Sequence, residues 1–328
     1  MTKLWYSPYL LKLKHLPNSK GGELNRSGAL LRIEQMNCGI GYSDLHPSIE
    51  LGDLPVEQQL SLFRQGQFTS QMHQSIYHAQ LDAKARTSNK SLFEGLSIPK
   101  SHFLVLSFEH FTREVFEQAV ESGFDSFKFK MGRNLKLELD SLIKISEFAL
   151  CETRLRFDFN NSLAQGVFHE FWRALPNEIQ KRVEFVEDPF IYNEFDWLRA
   201  EQLVPLALDR ELDTHLDSER GYSVAVIKPA KENADLILPK IKNLEIKYLF
   251  TSYLDHPVGQ SFAALSAALC PADFKRLDNG LVSHSVFEKN PYFERINSRG
   301  PWLVPQTDIG IGFGDLLEKE SWIPIYEN

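Results

Sequence analysis

The spacing of apolar and polar residues changes character near residue 100. Before that point, apolar residues alternate with polar ones in three short runs, Tyr9 to Lys14, Ala29 to Glu34 and Gly39 to Ser43, which predict antiparallel strands. Two runs with helical spacing follow, Val56 to Arg64 and Gln71 to Thr87. We therefore predict a small α+β domain over residues 1–99.

Beyond residue 100, short apolar runs alternate with segments of helix length, which is typical of βα repeats and a parallel sheet. The predicted strands are Phe103 to Phe108, Ser126 to Met131, Leu155 to Asn160, Val183 to Pro189, Leu206 to Glu211, Val224 to Pro229, Tyr248 to Tyr253 and Phe274 to Asp278. The helical patterns include Leu135 to Phe148, Gln165 to Leu175, Asn233 to Leu244 and Ser261 to Leu269. Eight strands of this kind close into a β/α barrel, here over residues 100–298, whose reacting groups lie at the C-terminal strand ends.

One polar loop interrupts the first domain. The segment from Pro17 to Gly22 contains Asn18, Ser19 and Lys20 and ends in two glycines. It is either a plain hairpin connection or a mobile lid over the barrel mouth.

Composition and charge exclude several classes of protein. The chain has 43% hydrophobic and 24% charged residues, as in ordinary globular proteins, and no apolar run is long enough to span a membrane. The formal net charge of -8 argues against a nucleic-acid partner, and an anionic substrate needs local positive charge. Three widely spaced cysteines favour a reducing compartment, so we expect a cytoplasmic protein acting on a small molecule.

Two lysines crowd one face of the second barrel strand. In an extended strand Lys128 and Lys130 point to the same side, while Phe127, Phe129 and Met131 cover the other. Like charges and burial both favour the uncharged form of a lysine, so one of the two is a candidate base. The alternative is an edge strand that exposes both lysines.

Polar side chains lie near the C-terminal end of each of the next four predicted strands. They are Asp158 and Asn160 on the third strand, Glu187 on the fourth, Asp209 on the fifth and Lys228 on the sixth. Each of these residues alone could cap a helix or face solvent. Unrelated surface charges would not, however, all fall at the same position of consecutive strands. Three converging carboxylates need a cation, and oxygen ligands suit Mg²⁺. The cluster predicts removal of a proton next to a substrate carboxylate.

With these motifs the chain resembles the enolase superfamily, and within it the muconate-lactonising subgroup. The resemblance implies an α+β capping domain, a modified TIM barrel of the (β/α)7β type and a C-terminal tail, residues 299–328, that returns to the cap. The helix from Tyr77 to Ala85 and the strand segment from Gly39 to Tyr42 are similar to cap elements of the family, although Ser43 stands where the family usually has Glu.

Within the subgroup, the segment from Leu155 to Asp158 is most similar to the o-succinylbenzoate synthases of menaquinone biosynthesis. The resemblance implies a dehydratase in which Lys130 moves the proton and Lys228 faces it as a fixed cation. Its metal would be Mg²⁺ or Mn²⁺, held by the three carboxylates. Candidate substrate contacts are Arg156, Asn160 and Ser252; packing against the barrel core is the alternative for Arg156.

Two other functions stay open. An epimerase of N-acylated amino acids or dipeptides would use Lys130 and Lys228 as acid and base, although dipeptide epimerases usually carry Asp-x-Asp where this chain has Asp278-Asn279-Gly280. A barrel without catalysis that serves as a scaffold is the third possibility, and the intact lysines and carboxylates argue against it.

Overall fold

The computed structural model describes residues 2–16, 23–36, 38–148, 152–216, 221–270 and 275–325. The predicted loop or lid, residues 17–22, lies outside these residues. In the first part of the chain the elements are β1 (Thr2–Lys12), β2 (Asn25–Gln35), β3 (Gly39–Leu45), α1 (Val56–Arg64) and α2 (Ser70–Thr87). The first strand begins earlier than its alternation predicted, and both helices agree with the predicted ranges to within one residue.

The three N-terminal strands form an antiparallel sheet whose apolar face packs on the two helices. Leu31, Ile33 and Leu45 are fully buried there. Helix α2 lies so close to β3 that a Cβ on Gly41 would stand 2.0 Å from the Ala79 carbonyl oxygen. Glycine at this position therefore sets the distance between helix and sheet.

The second part alternates strands and helices. Its strands are β4 (Phe103–Val105), β5 (Ser126–Lys130), β6 (Arg154–Asp158), β7 (Val183–Glu187), β8 (Leu206–Leu208), β9 (Val224–Ile227) and β10 (Lys247–Phe250). Its helices are α3 (Arg113–Glu121), α4 (Leu135–Phe148), α5 (Gln165–Ala174), α6 (Asn177–Gln180), α7 (Glu194–Glu201), α8 (Leu212–His215), α9 (Ala234–Leu244) and α10 (Pro257–Leu269). The seven strands pair in parallel in chain order, as predicted for the barrel.

The predicted eighth strand, Phe274 to Asp278, is not a regular strand in its described part, which begins at Lys275. Isolated parallel bridges join Arg276 to Tyr248 and Asn279 to Ser101, so this segment closes the barrel between β10 and β4. The side chain of Asn279 accepts the Phe250 N–H at 2.8 Å and thus replaces a ladder bond between backbones. The prediction of a complete strand was wrong for that reason.

The C-terminal part returns to the first sheet. After β11 (Asn297–Arg299), β12 (Trp302–Val304) and α11 (Gly314–Leu317), strand β13 (Ile323–Pro324) pairs antiparallel with β1. The domain boundary that we placed near residue 100 stays a prediction. Within the described residues, no helix is both long and apolar enough to cross a membrane.

Candidate active site

The predicted strand-end residues gather at one end of the barrel. Lys130, Asp158 and Glu187 are register partners on the neighbouring strands β5, β6 and β7. Asp209 and Lys228 each follow the last residue of their strand, β8 and β9, by one position. Because parallel strands carry their carboxyl ends to one edge, the sequence places all five at the same end of the barrel.

Lys128 connects two of the carboxylates. Its Nζ lies 2.7 Å from both carboxyl oxygens of Glu187 and 2.8 Å from Asp158 Oδ2. All three side chains are almost completely buried. This geometry ties β5, β6 and β7 together by charge-assisted hydrogen bonds.

The other two lysines pair with separate carboxylates. Lys130 Nζ lies 2.6 Å from Asp158 Oδ2, and Lys228 Nζ forms an ion pair with Asp209 Oδ2. Asn160 donates from Nδ2 to Asp158 Oδ1 at 2.6 Å, which leaves both oxygens of Asp158 in contact with donors. Lys130 and Lys228 are thus paired with carboxylates on either side of strand β7.

Burial and charge act in opposite directions on these groups. Burial alone would lower the pKa of Lys128, but Asp158 and Glu187 outweigh it and raise that pKa. Burial likewise lowers and Asp209 raises the pKa of Lys228, with a net rise. The prediction that crowding by Lys130 favours the uncharged form therefore does not hold for Lys128, because Asp158 and Glu187 contact its ammonium group.

The carboxylates are perturbed by the same contacts. Burial raises the pKa of the Asp158 carboxyl, but the ammonium groups of Lys128 and Lys130 outweigh it and hold that pKa below its usual range. Burial and the nearby Asp158 raise the pKa of Glu187 well above its usual value. The ionised Asp158 thus opposes ionisation of Glu187, and a cation between the two carboxylates would relieve that repulsion.

The donor set fits a hard divalent ion. Asp158, Glu187 and Asp209 supply only oxygen atoms, and the buried Asp209 Oδ1 has no hydrogen-bond partner among the described residues. In that same part of the chain, no three acidic, histidine or cysteine side chains are arranged to enclose an ion as they stand. The lysine ammonium groups and Asn160 hold the other oxygens, so a metal would have to replace some of these contacts.

Asp188 is a site residue that sequence reasoning missed. It has a positive φ of 43°, and its carboxylate accepts the backbone N–H groups of Asp209 at 3.2 Å and Arg210 at 3.0 Å. Burial, followed by the charge of Asp209, raises its pKa to about 7. Asp188 therefore fixes the backbone that carries Asp209. The only signal was its place between Glu187 and Pro189 at a strand end.

The cavity above the cluster is bounded by both sheets. Its wall consists of Arg26, Ser48, Glu50 and Leu51 from the first part of the chain, and of His102, Leu104, Lys128, Lys130, Asn160, Glu187, Lys228, Thr251, Ser252, Tyr253, Leu254, Gly280 and Ser283. Ser252 Oγ lies 2.6 Å from Ser283 Oγ in this wall. The contributions of Arg26, His102 and Ser283 were not predicted.

Arg156, a predicted substrate contact, does not line the cavity. It is fully buried and is absent from the cavity wall. Its guanidinium donates to Glu184 Oε2 at 2.7 Å and to the Asp278 carbonyl at 2.6 Å, and contacts His102 Nδ1 at 2.8 Å. Arg156 shares the inward face of Asp158 but lies two residues deeper. The alternative of packing inside the barrel is the one that the structure favours.

Comparison with known proteins gives related sequences and a shared fold. Residues 4–85 match the family model described as O-succinylbenzoate synthase, N-terminal domain. The chain is 34% identical over 327 residues to an o-succinylbenzoate synthase of Bdellovibrio bacteriovorus, with 98% of each chain covered.

Solved structures resemble this one at much lower identity. A 2-chloromuconate cycloisomerase from Rhodococcus opacus superposes with a TM-score of 0.79 at 18% identity, covering 97% of this chain and 98% of the other. A dipeptide epimerase from Enterococcus faecalis, complexed with Mg and the dipeptide L-Leu-L-Tyr, gives 0.76 at 18% identity, covering 94% and 98%. At such identity these matches establish the fold alone, a β/α barrel with a capping sheet.

Proposed function

The chain belongs to the o-succinylbenzoate synthase family of lyases, and we propose that it dehydrates 2-succinyl-6-hydroxy-2,4-cyclohexadiene-1-carboxylate to 2-succinylbenzoate in menaquinone biosynthesis. The observation that carries the proposal is the pairing of Lys130 with Asp158 and of Lys228 with Asp209 at one barrel mouth. A cytoplasmic location is part of the same proposal.

Lys130 takes the central step in this proposal. Once its ammonium proton has left to solvent, the Lys130 amine removes the proton from the ring carbon that bears the carboxylate, and the electron pair of that C–H bond forms the new ring double bond. The C–O bond of the ring hydroxyl then breaks, and Lys130 returns the proton to it, so one water leaves. One lysine on one face is sufficient for both transfers.

Lys128 and Lys228 contribute charge. Both have raised pKa values, Lys128 because its carboxylate partners outweigh burial and Lys228 because Asp209 does so. Fixed ammonium groups in a buried site stabilise the negative charge that develops on the substrate carboxylate. Asn160 keeps Asp158 oriented through its 2.6 Å hydrogen bond.

A divalent metal completes the site in this proposal. Asp158, Glu187 and Asp209 would hold Mg²⁺ or Mn²⁺, which withdraws electron density from the substrate carboxylate and makes the adjacent C–H more acidic. Asp209 Oδ1, which has no hydrogen-bond partner in the described part of the chain, supports this assignment.

Epimerisation is the second candidate function. It would need proton transfer by both Lys130 and Lys228, and the two lysines do lie on different carboxylates. The raised pKa of Lys228, caused by Asp209 against the opposing effect of burial, favours a fixed cation and hence dehydration.

The deciding experiment compares two reactions of the purified protein with Mg²⁺. Turnover of the cyclohexadiene substrate is followed by ultraviolet absorbance, and deuterium uptake at the α-carbon of N-succinyl amino acids and dipeptides is followed by mass spectrometry. We expect rapid dehydration. Lys130→Ala should abolish it, whereas Lys228→Arg, which keeps the charge but cannot accept a proton, should retain a measurable part. Rapid α-exchange without dehydration would overturn the proposal in favour of the epimerase.

A further inference from the structure

His102 lines the active-site cavity, and one edge of its ring is turned away from its partner Arg156 in the barrel core. It directly precedes β4, and its backbone N–H donates to the Asn279 carbonyl at 2.7 Å. A Cβ on Gly280 would stand 2.9 Å from His102 Cε1 and 3.0 Å from Nε2. The Nε2 edge of the ring therefore faces the cavity wall at Gly280.

The opposite ring edge is fixed by Arg156. Arg156 Nη1 lies 2.8 Å from His102 Nδ1, and a guanidinium group can only donate. Nδ1 must then be the acceptor, so the ring proton is on Nε2. Burial, followed by the charge of Arg156, lowers the pKa of His102 well below its usual value, which agrees with a neutral ring.

Arg156 is itself held in place. Glu184 and the Asp278 carbonyl accept from it at 2.7 Å and 2.6 Å, and it is fully buried. Rotation of the guanidinium would break both contacts. The tautomer of His102 is therefore set by a rigid group outside the cavity.

Around His102 the cavity wall is formed by Thr251, Ser252, Gly280 and Ser283, three of which carry hydroxyl groups. Within the described residues, no hydrogen bond involves His102 Nε2, and the buried Thr251 Oγ1 also has no partner. A buried hydroxyl left without a partner is costly, and this applies to Thr251 Oγ1. An oxygen-rich part of the ligand would satisfy these groups.

We propose that His102 binds an oxygen of the substrate's succinyl arm by donating from Nε2, and that Arg156 is a positioning residue that holds His102 in the donating tautomer. The identity of the arm rests on the proposed function. A neutral donor next to a buried guanidinium stabilises an anionic oxygen without adding a further positive charge to the cavity. Such a donor also selects against ligands that lack the oxygen, because it is then left unpaired.

Two substitutions separate the two edges of the ring. His102→Asn keeps a polar group at the position of Nδ1, where it can accept from Arg156, but lacks an atom that reaches the position of Nε2. His102→Gln places an amide N–H near the position of Nε2 but withdraws the acceptor from Arg156. The matched control is His78, a buried histidine outside this cavity that stacks on Phe262 at 4.4 Å.

We expect His102→Asn to raise KM for dehydration, and Kd for 2-succinylbenzoate, about 10- to 100-fold, the effect of losing a hydrogen bond to a charged group. Its inhibition constant for 2-methylbenzoate, which lacks the arm, should stay at the wild-type value. His102→Gln should bind 2-succinylbenzoate more tightly than His102→Asn does, while its thermal midpoint falls because Arg156 loses an acceptor. The same substitutions at His78 should lower the midpoint without changing KM.

The opposite ranking of the two His102 variants in ligand affinity would overturn the inference. If His102→Asn binds 2-succinylbenzoate like the wild type and only His102→Gln fails, His102 serves Arg156 alone. Equal losses for 2-succinylbenzoate and 2-methylbenzoate, or a raised KM in the His78 controls, would also overturn it, since the effect would then be global. A wild-type protein that shows no dehydration refutes the proposed function instead, and the two failures are thereby distinguished.

Discussion

Replacing Lys228 with methionine tests whether the carboxylate cluster is built to receive a further cation. Lys228 is in a buried ion pair with Asp209 Oδ2, while Asp209 Oδ1 has no partner among the described residues. Methionine fills a similar volume without the charge. The carboxylate of Asp209 is then left buried without a cation.

The size of the effect follows from that burial. Removing one partner of a buried ion pair costs about 3–5 kcal/mol of unfolding free energy. At about 2 °C per kcal/mol for a chain of this length, the thermal midpoint should fall by about 6–10 °C in the absence of metal. Mg²⁺ at a hundred times its Kd would return about 2.7 kcal/mol, so metal should recover about half of the loss or more. Turnover should stay at least about 100-fold reduced, because the metal does not replace the charge at the reacting face.

The assay is thermal unfolding of Lys228→Met and wild type, each with EDTA and with saturating Mg²⁺. Lys231→Met is the matched control, because Lys231 pairs with Asp53 at 3.0 Å but is 34% exposed. Its loss should be below about 1 kcal/mol and independent of metal. A midpoint for Lys228→Met that is no higher with Mg²⁺ than with EDTA would refute the reasoning, since Asp209 would then have no access to the ion.

Two further predictions concern the metal and pH. Asp209→Asn removes one charged ligand while keeping the shape, so Mg²⁺ affinity measured by calorimetry and turnover should fall together; unchanged affinity would remove Asp209 from the site. Burial lowers the pKa of His78 to about 3, against about 6.5 in the unfolded chain, so the stability of the uncharged form is full above pH 6.5 and is lost as pH falls toward 3. Between pH 6.5 and 5.5, His78→Phe should therefore lose roughly 1 kcal/mol less unfolding free energy than wild type in denaturant titrations, and equal losses would contradict the shift.

The sequence was sufficient to predict the barrel and the strand ends because both depend on local periodicity. Alternation along β5 placed Lys128 and Lys130 on one face, and the parallel register brought Lys130, Asp158 and Glu187 to neighbouring positions. The side of a strand that a residue faces is a local property of the sequence. It requires no knowledge of which strand lies next to which beyond the order along the chain.

What the sequence did not reveal depends on depth and on contacts between distant residues. Arg156 points to the same inward side of its strand as Asp158, yet it lies below the cavity. Alternation along a strand predicts which side a residue faces, and it does not predict how deep in the barrel the residue lies. The role of Asp188 depends on a positive φ of 43°, which an aspartate can adopt but which the residue type does not predict. Asn279 joins β10 through its side chain, a contact 29 residues away in sequence that no periodicity encodes.

The charge balance of the cluster supplies the physical reason for a metal in the proposed site. When all are ionised, Lys128, Lys130 and Lys228 carry as much positive charge as Asp158, Glu187 and Asp209 carry negative, and the pairs contact one another directly. A neutral cluster in a protein of net charge -8 offers no attraction to a substrate with two carboxylates. A divalent cation adds the two positive charges that match such a substrate. The raised pKa of Glu187, caused by burial and then by Asp158, and the unpartnered oxygen of Asp209 both indicate that the described residues hold one cation too few.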